Sequence, residues 1–155
     1  MTKLITLLKE IIIEPEEESA NRLALAQARD KIRDYITNGS KGDLDLRASA
    51  VYSLGNLQRV EGHLDLRGTA IQSLGNLEYV GGNLYLHNTP IESLGDLKYV
   101  VGSLYLQDTP IQSLGNLEYV GGNLGLRGSK LLNRYTVDQI RQVVDIAGDV
   151  AIGWS

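Results

Sequence analysis

Gly62-His-Leu-Asp-Leu-Arg-Gly-Thr-Ala-Ile-Gln-Ser-Leu-Gly-Asn-Leu-Glu-Tyr-Val-Gly81 is followed at once by Gly82-Asn-Leu-Tyr-Leu-His-Asn-Thr-Pro-Ile-Glu-Ser-Leu-Gly-Asp-Leu-Lys-Tyr-Val-Val101. The second stretch repeats the first position for position. Five segments keep this twenty-residue phase, beginning at Gly42, Gly62, Gly82, Gly102 and Gly122. A repeat this short cannot bury its own apolar face, so each copy must stack on its neighbours, and the expected architecture is a solenoid. Leu64-Asp-Leu66, Leu84-Tyr-Leu86 and Leu104-Tyr-Leu106 alternate apolar and other residues, the pattern of a strand with one buried face. Each repeat therefore supplies one short strand to a parallel sheet. Ile71, Leu74, Leu77 and Val80 are spaced by three, which predicts a tight coil or 3₁₀-like return. The Gly81-Gly82 and Gly121-Gly122 pairs are expected to permit the turn into the next strand. Thr69, Thr89 and Thr109 sit where a hydroxyl can bond backbone groups opened by the turn, and Asn56, Asn76, Asp96 and Asn116 are expected to do the same on the return.

Working outward, residues 1–40 read as a helical hairpin cap, 41–131 as the repeats, and 132–155 as a capping helix with a final strand. Leu4, Leu7, Leu8, Ile11 and Ile12 share one helical face. Pro15 followed by three glutamates resembles the first turn of a second helix, whose stripe Leu25, Ala28, Ile32, Tyr35 and Ile36 ends at Asn38-Gly39. Beyond the last strand pair the repeat loses phase at Leu132. Thr136 and Gln139 have capping-box spacing, and Val137, Ile140, Val143, Val144 and Ala147 form a stripe that stops at Gly148. Gly148-Asp-Val-Ala-Ile152 then restores the strand register, so a sixth strand is expected, with Trp154 over the open end of the core. The fold class is α/β: a solenoid with a parallel sheet of about six short strands and a helical cap at each end.

The pattern Leu64-x-Leu66-x-x-Thr69-x-Ile71-x-x-Leu74-x-x-Leu77 resembles a leucine-rich repeat, nearest in length to the short twenty-residue class of bacterial proteins that includes secreted effectors. The resemblance covers about Gly42 to Leu132. Thr stands where that family usually has Asn, and Ser-Leu-Gly-Asn-Leu where the effector class carries paired prolines. The resemblance implies a protein partner held on the concave strand face.

Composition narrows the chemistry. The formal net charge of -4 is neither the basic excess that holds nucleic acid nor the acidic density of a nucleic acid mimic, so no nucleic acid partner is expected. With no cysteine, disulfides, thiolate zinc sites and cysteine nucleophiles are excluded. Lys9 and Glu10 interrupt the first apolar run, which reads as a helix and not a signal peptide, and no stretch approaches the roughly 20 apolar residues of a membrane span. A cytoplasmic protein is the expectation, with leaderless secretion into a host left open. No cofactor or metal is expected.

If the paired leucines point inward, the residues beside them face out from the sheet: Asp43, Asp45, Arg47; His63, Asp65, Arg67; Asn83, Tyr85, His87; Ser103, Tyr105, Gln107; Asn123, Gly125, Arg127. Tyr85 and Tyr105 on adjacent rungs, with Arg67, His87 and Gln107 around them, combine rigid amphipathic rings with adaptable polar groups, as interface hot spots do. Asp65 and Arg127 extend this candidate partner-binding set. The plainer reading is two rings protecting a sheet face. On the return, Tyr79, Tyr99 and Tyr119 form a second ladder that reads as structural stacking. Asp45 and Asp65 are expected to be neutralised by Arg47 and Arg67 more readily than by a cation. His63 and His87, on different columns, read as solvated, and the periodic serines as structural. No enzyme signature is present.

The expected function is therefore a non-catalytic protein-protein interaction module, including an inhibitor or effector of bacterial or phage origin. The alternative is a scaffold that forms a homodimer through its N-terminal helices.

Overall fold

The computed structural model describes residues 15–153. The first helix expected within residues 1–13, and the placement of Trp154, lie outside the described residues. Helix α1, Pro15–Thr37, leads into a two-sided coil of eleven strands, each two residues long. Six of them, β1 (Leu44–Asp45), β3 (Leu64–Asp65), β5 (Leu84–Tyr85), β7 (Leu104–Tyr105), β9 (Leu124–Gly125) and β11 (Val150–Ala151), pair in that order as one parallel sheet. The other five, β2 (Arg59–Val60), β4 (Tyr79–Val80), β6 (Tyr99–Val100), β8 (Tyr119–Val120) and β10 (Asp145–Ile146), form a second parallel sheet. A 3₁₀ turn, Lys130–Asn133, and helix α2, Val137–Val143, lie between β9 and β10.

Strands this brief hold because every rung is bonded to the next along the whole stack. In the first sheet the Leu64 N–H donates to Asn83 O at 2.9 Å and the Leu66 N–H to Tyr85 O at 3.0 Å, and the pattern recurs at Leu84, Leu86, Leu104 and Leu106. The second sheet runs the other way along the stack, with the Gly81 N–H donating to Val60 O at 2.7 Å and the Val101 N–H to Val80 O at 2.9 Å.

Between the sheets the repeat's apolar positions form continuous columns. Leu64, Leu66, Ile71, Leu74, Leu77 and Val80 are wholly buried, as are their equivalents in the next rung apart from Leu94, which is nearly so. Leu131 fills the isoleucine position of the fifth rung, so the repeat keeps phase for one apolar residue past the strand before the cap begins. The Thr69, Thr89 and Thr109 hydroxyls each donate to the carbonyl three residues back, Leu66, Leu86 and Leu106, at 2.6–2.8 Å. Their methyl and hydroxyl are buried together because that carbonyl satisfies the polar half.

The return differs from its expectation. The three-residue spacing predicted coil, but Tyr-Val pairs add a second sheet, because the valine faces the core while both strand backbones find partners twenty residues away. Asn76 makes only a 3.5 Å bond to Gly55 O, and among the described residues Asn56, Asp96 and Asn116 form no side-chain hydrogen bond. The serines close that turn instead: Ser53, Ser73, Ser93 and Ser113 Oγ each accept the N–H of the glycine two residues on, at 3.0–3.1 Å.

At the first end, Ala28, Ile32 and Tyr35 of α1 are buried against the first rung, with Leu25 half-buried and Ile36 exposed. The Tyr35 hydroxyl lies 2.6 Å from Ser40 O and 2.8 Å from Gly42 O and accepts the Glu61 N–H at 3.2 Å, tying the helix to two rungs. Burial raises its pKa. At the other end the capping box is present, with Thr136 Oγ1 accepting from Gln139 N and Gln139 Oε1 accepting from Thr136 N. The capping helix is shorter than its apolar stripe predicted. It stops at Val143, and Val144 turns into β10, because pairing with β8 satisfies more backbone than another helical turn would. Val143 is left 74% exposed, while Ile140, Val144 and Ile146 close the core. Strand β11 pairs with β9 as expected.

Candidate functional site

The outward side of the first sheet carries three columns of side chains, and each does something different. The column just before the strands, Asp43, His63, Asn83, Ser103 and Asn123, is a ladder of acceptors. Asp43 Oδ1 accepts the His63 N–H at 2.8 Å, His63 Nδ1 the Asn83 N–H at 2.7 Å, Asn83 Oδ1 the Ser103 N–H at 2.8 Å, Ser103 Oγ the Asn123 N–H at 2.9 Å and Asn123 Oδ1 the Asp149 N–H at 2.9 Å. Four residue types share one role because each presents an acceptor atom at the same reach.

This ladder also explains a glycine in every repeat. A Cβ at Gly102 would lie 2.3 Å from Asn83 Oδ1, and one at Gly122 would lie 2.4 Å from Ser103 Oγ. Neither residue has a positive φ. The Gly81-Gly82 and Gly121-Gly122 pairs were expected to supply turn freedom, but Gly82 and Gly122, neither with a positive φ, make room for the previous rung's acceptor and backbone.

The central column runs Asp45, Asp65, Tyr85, Tyr105, Gly125 and Ala151. Tyr85 and Tyr105 stack with centroids 5.1 Å apart and planes within 2° of parallel. Strand spacing of about 4.8 Å sets that separation. Asn83 Nδ2 donates to the Tyr85 hydroxyl at 2.9 Å, so an acceptor-ladder residue also orients the ring. On the far side of the pair, Arg67 Cζ lies 5.2 Å from the Tyr85 centroid, within cation–π range.

Arg67 is held by Asp65, with Nη2 to Oδ2 at 2.6 Å and Nε to Oδ1 at 2.9 Å. Asp45 and Arg47 repeat the arrangement one rung earlier, and Arg47 Nε also lies 3.5 Å from Asp65 Oδ2. The Arg47 guanidinium and its N–H bring the Asp45 carboxyl down to about 2. Asp65, expected to face solvent, is only 9% exposed beneath the two arginines. The charged end of the sheet is thus a closed network of two acids and two bases.

The third column holds Arg47, Arg67, His87, Gln107 and Arg127. His87 was expected to be solvated; it is half-buried, edge-on to both tyrosines at 6.4 and 6.1 Å between centroids. Burial, and then the Arg67 charge, push its pKa below the usual histidine range. His63, also expected to be solvated, is exposed but fixed by its bond from Asn83, and its ring tilts toward Tyr85 at 6.4 Å. Gln107 folds over Gly125, where a Cβ would meet its Nε2 at 2.2 Å. Among the described residues, the buried atoms Gln107 Oε1 and His87 Nδ1 have no hydrogen-bond partner. Arg127 pairs with Asp108 at 3.2 Å.

A cleft of about 300 Å³ opens beside Tyr105, bounded by His87, Gln107, Asp108, Arg127 and Ala151. It exists because the central column drops from tyrosine to glycine and alanine. The structure therefore brings six of the seven candidate residues (Arg67, Tyr85, His87, Tyr105, Gln107 and Arg127) to one face, with the seventh, Asp65, beneath Arg67 as its anchor. Sequence reasoning missed the step at Gly125 and the acceptor ladder. The first was visible as a break in the tyrosine column; the second was hidden because four different residue types carry it.

The return ladder does not stack. Tyr79 lies under the Arg59 guanidinium, 3.8 Å from ring centroid to Cζ, and the Tyr99 hydroxyl donates to Glu118 Oε2 at 2.9 Å, which raises its pKa. Among the described residues no helix is long and apolar enough to cross a membrane, and no group of three or more His, Cys, Asp or Glu side chains is placed to hold a metal ion. No protein-family model, curated protein or solved structure matches this twenty-residue solenoid.

Proposed function

We propose that the chain is a non-catalytic binding module of the leucine-rich repeat type that holds a protein partner on the outward face of its first sheet. The observation that carries this reading is the parallel Tyr85–Tyr105 stack, braced by Arg67 and His87 and opening onto a polar cleft. Rigid, half-buried aromatic surface with adaptable polar groups at its rim is what binding hot spots are made of. The periodicity supports the leucine-rich repeat assignment: the paired leucines face the core on every rung that carries them. An inhibitor or effector that blocks its target sterically fits the same face.

Affinity capture from a lysate of the natural source or its host tests the reading. The intact chain and a folded Tyr85→Ala/Tyr105→Ala variant are compared, and bound proteins are identified by mass spectrometry. A partner lost with the double variant supports the concave-face module. A partner retained overturns it.

A second reading, self-association through α1, is favoured by the exposure of Leu23, Ile36 and the nearby Tyr52. Sedimentation velocity separates the two. A dimer of the intact chain that Leu23→Glu converts to monomer establishes the scaffold; a monomer at all concentrations removes it.

A further inference from the structure

We propose that the cleft at the open end of the tyrosine stack is a seat for a guanidinium group, supplied by an arginine side chain of the protein partner. The inference rests on the binding-module reading and names the chemistry of its anchor.

The two ends of the stack are not alike. At one end the chain supplies its own cap: the Arg67 guanidinium lies over Tyr85 and is held by the Asp65 carboxylate. At the other end the next residue in the column is Gly125, so no side chain of that column covers the outer face of Tyr105. The cleft lies at this step, with Asp108 at its rim. A planar group entering there continues the stack at the spacing the sheet imposes.

An unpartnered buried oxygen decides which planar group. Gln107 lies over Gly125 with its carbonyl oxygen unbonded, and His87 Nδ1 beside it is also without a partner. Leaving buried acceptors unsatisfied is costly, and a ligand that satisfies them gains what the free protein forgoes. An apolar ring would stack on Tyr105 but leave the Gln107 oxygen unpaired. A guanidinium stacks on an aromatic face and carries five N–H donors in its plane, no acceptor and one positive charge. It can donate to the Gln107 carbonyl, once the amide turns outward, and share the Asp108 carboxylate with Arg127, as Arg47 and Arg67 share Asp65. His87, with its pKa lowered by burial, adds no charge, and Arg127, the one cation bounding the cleft, is countered by Asp108. An ammonium offers the charge without the plane.

The Gln107 amide is a movable filler in this arrangement. Its tip occupies the space that a Cβ at residue 125 would need, and it is held by no hydrogen bond to its oxygen. Gly125 has no positive φ, so a larger residue there is compatible with the backbone, as Tyr85 and Tyr105 are in their own rungs.

The test is a titration of the isotopically labelled full chain followed by NMR, with N-acetyl-arginine methylamide as probe and the lysine and phenylalanine counterparts as comparisons. The expected result is a saturable shift of the Gln107 side-chain amide and the Gly125 backbone amide with the arginine probe. The lysine probe should bind about tenfold or more weakly, since it cannot stack and bond at once. Gly125→Tyr should complete the column and abolish the response. Gln107→Leu should weaken the arginine probe while sparing the phenylalanine one, which keeps the proposal testable if Gly125→Tyr fails to fold. No saturable shift, equal binding of lysine, preference for phenylalanine, or a response unchanged in a folded Gly125→Tyr protein would each overturn the seat. Failure of the broader reading looks different. Partner capture lost with Tyr85→Ala/Tyr105→Ala but unaffected by Gly125→Tyr leaves the concave-face module standing and removes the arginine seat. Probe binding with capture indifferent to the tyrosines does the reverse.

Discussion

Two tyrosine columns climb this molecule at the same twenty-residue period, one on each sheet, and only one of them stacks. Tyr85 and Tyr105 lie parallel at 5.1 Å, whereas Tyr79, Tyr99 and Tyr119, paired in equally regular strand register, make no ring-to-ring contact. Register brings Cα atoms to sheet spacing, but it does not choose rotamers. Lateral neighbours do. Asn83 and His87 hold the first pair upright from both sides. On the second sheet, Arg59 covers one ring and Glu118 draws another hydroxyl away. Repetition of a residue type is therefore not evidence of repeated contact.

The comparison can be broken most severely from beneath. Leu86 is wholly buried in the core that both columns share. Leu86→Ala should cost about 2–5 kcal/mol of unfolding free energy and leave neither sheet favoured. Denaturant unfolding read by tyrosine fluorescence checks this, and a cost below 1 kcal/mol would mean the rungs are held independently of their columns.

A smaller effect should separate the sheets. Asn83→Ala removes the acceptor for the Ser103 N–H and the donor to the Tyr85 hydroxyl together. The expected loss is about 1–3 kcal/mol. Crystallography or NMR of the variant should show Tyr85 released from the stack while Tyr79 and Tyr99 keep their positions. Asn83→Asp should retain the ladder bond to Ser103 and reverse the bond to the ring, the Tyr85 hydroxyl then donating to the carboxylate.

Smaller again is the coupling between rings. A double-mutant cycle on Tyr85 and Tyr105 should return about 0.5–1.5 kcal/mol of interaction energy, and the same cycle on Tyr79 and Tyr99 should return close to zero. Equal values would show that the second column stacks in solution after all.

The smallest effect is the pH dependence that His87 gives the first sheet. His87 has a lowered pKa in the folded chain, so folding favours its neutral form. Its contribution is constant above the ordinary histidine value of about 6.5 and turns unfavourable as pH falls below it, levelling off beneath the folded value. Thermal melts between pH 7.5 and 5 should show this decline in the intact chain and a shallower one in His87→Gln. Asp45 acts in a separate window, its stabilisation present above the ordinary Asp value and lost as pH falls through about 2.

Periodicity made the stack, the inward leucines and the sixth strand legible from residues alone. The second sheet was not legible. A Tyr-Val pair is too short to display alternation, and its strand character comes from backbone partners a full repeat away. The capping helix shows the same limit. Val143 and Ala147 fit a helical stripe, yet pairing of Asp145–Ile146 with Tyr119–Val120 overrides it. Most of the candidate site was readable because outward positions alternate with buried leucines. That Asp65 sinks beneath two arginines, that His87 is desolvated and that Gln107 lies unpaired over Gly125 depend on side-chain directions, which sequence spacing leaves open.

By itself the sequence determined a twenty-residue rung, the identity of its core columns and the order of side chains along its outward face, because a repeat that cannot fold alone has one way to hide its leucines. Tertiary structure alone decided which tyrosines stack, which polar groups are paired and where the stack ends in a cleft. Those outcomes are settled by atoms twenty residues apart competing for the same hydrogen bonds and the same few ångströms of space.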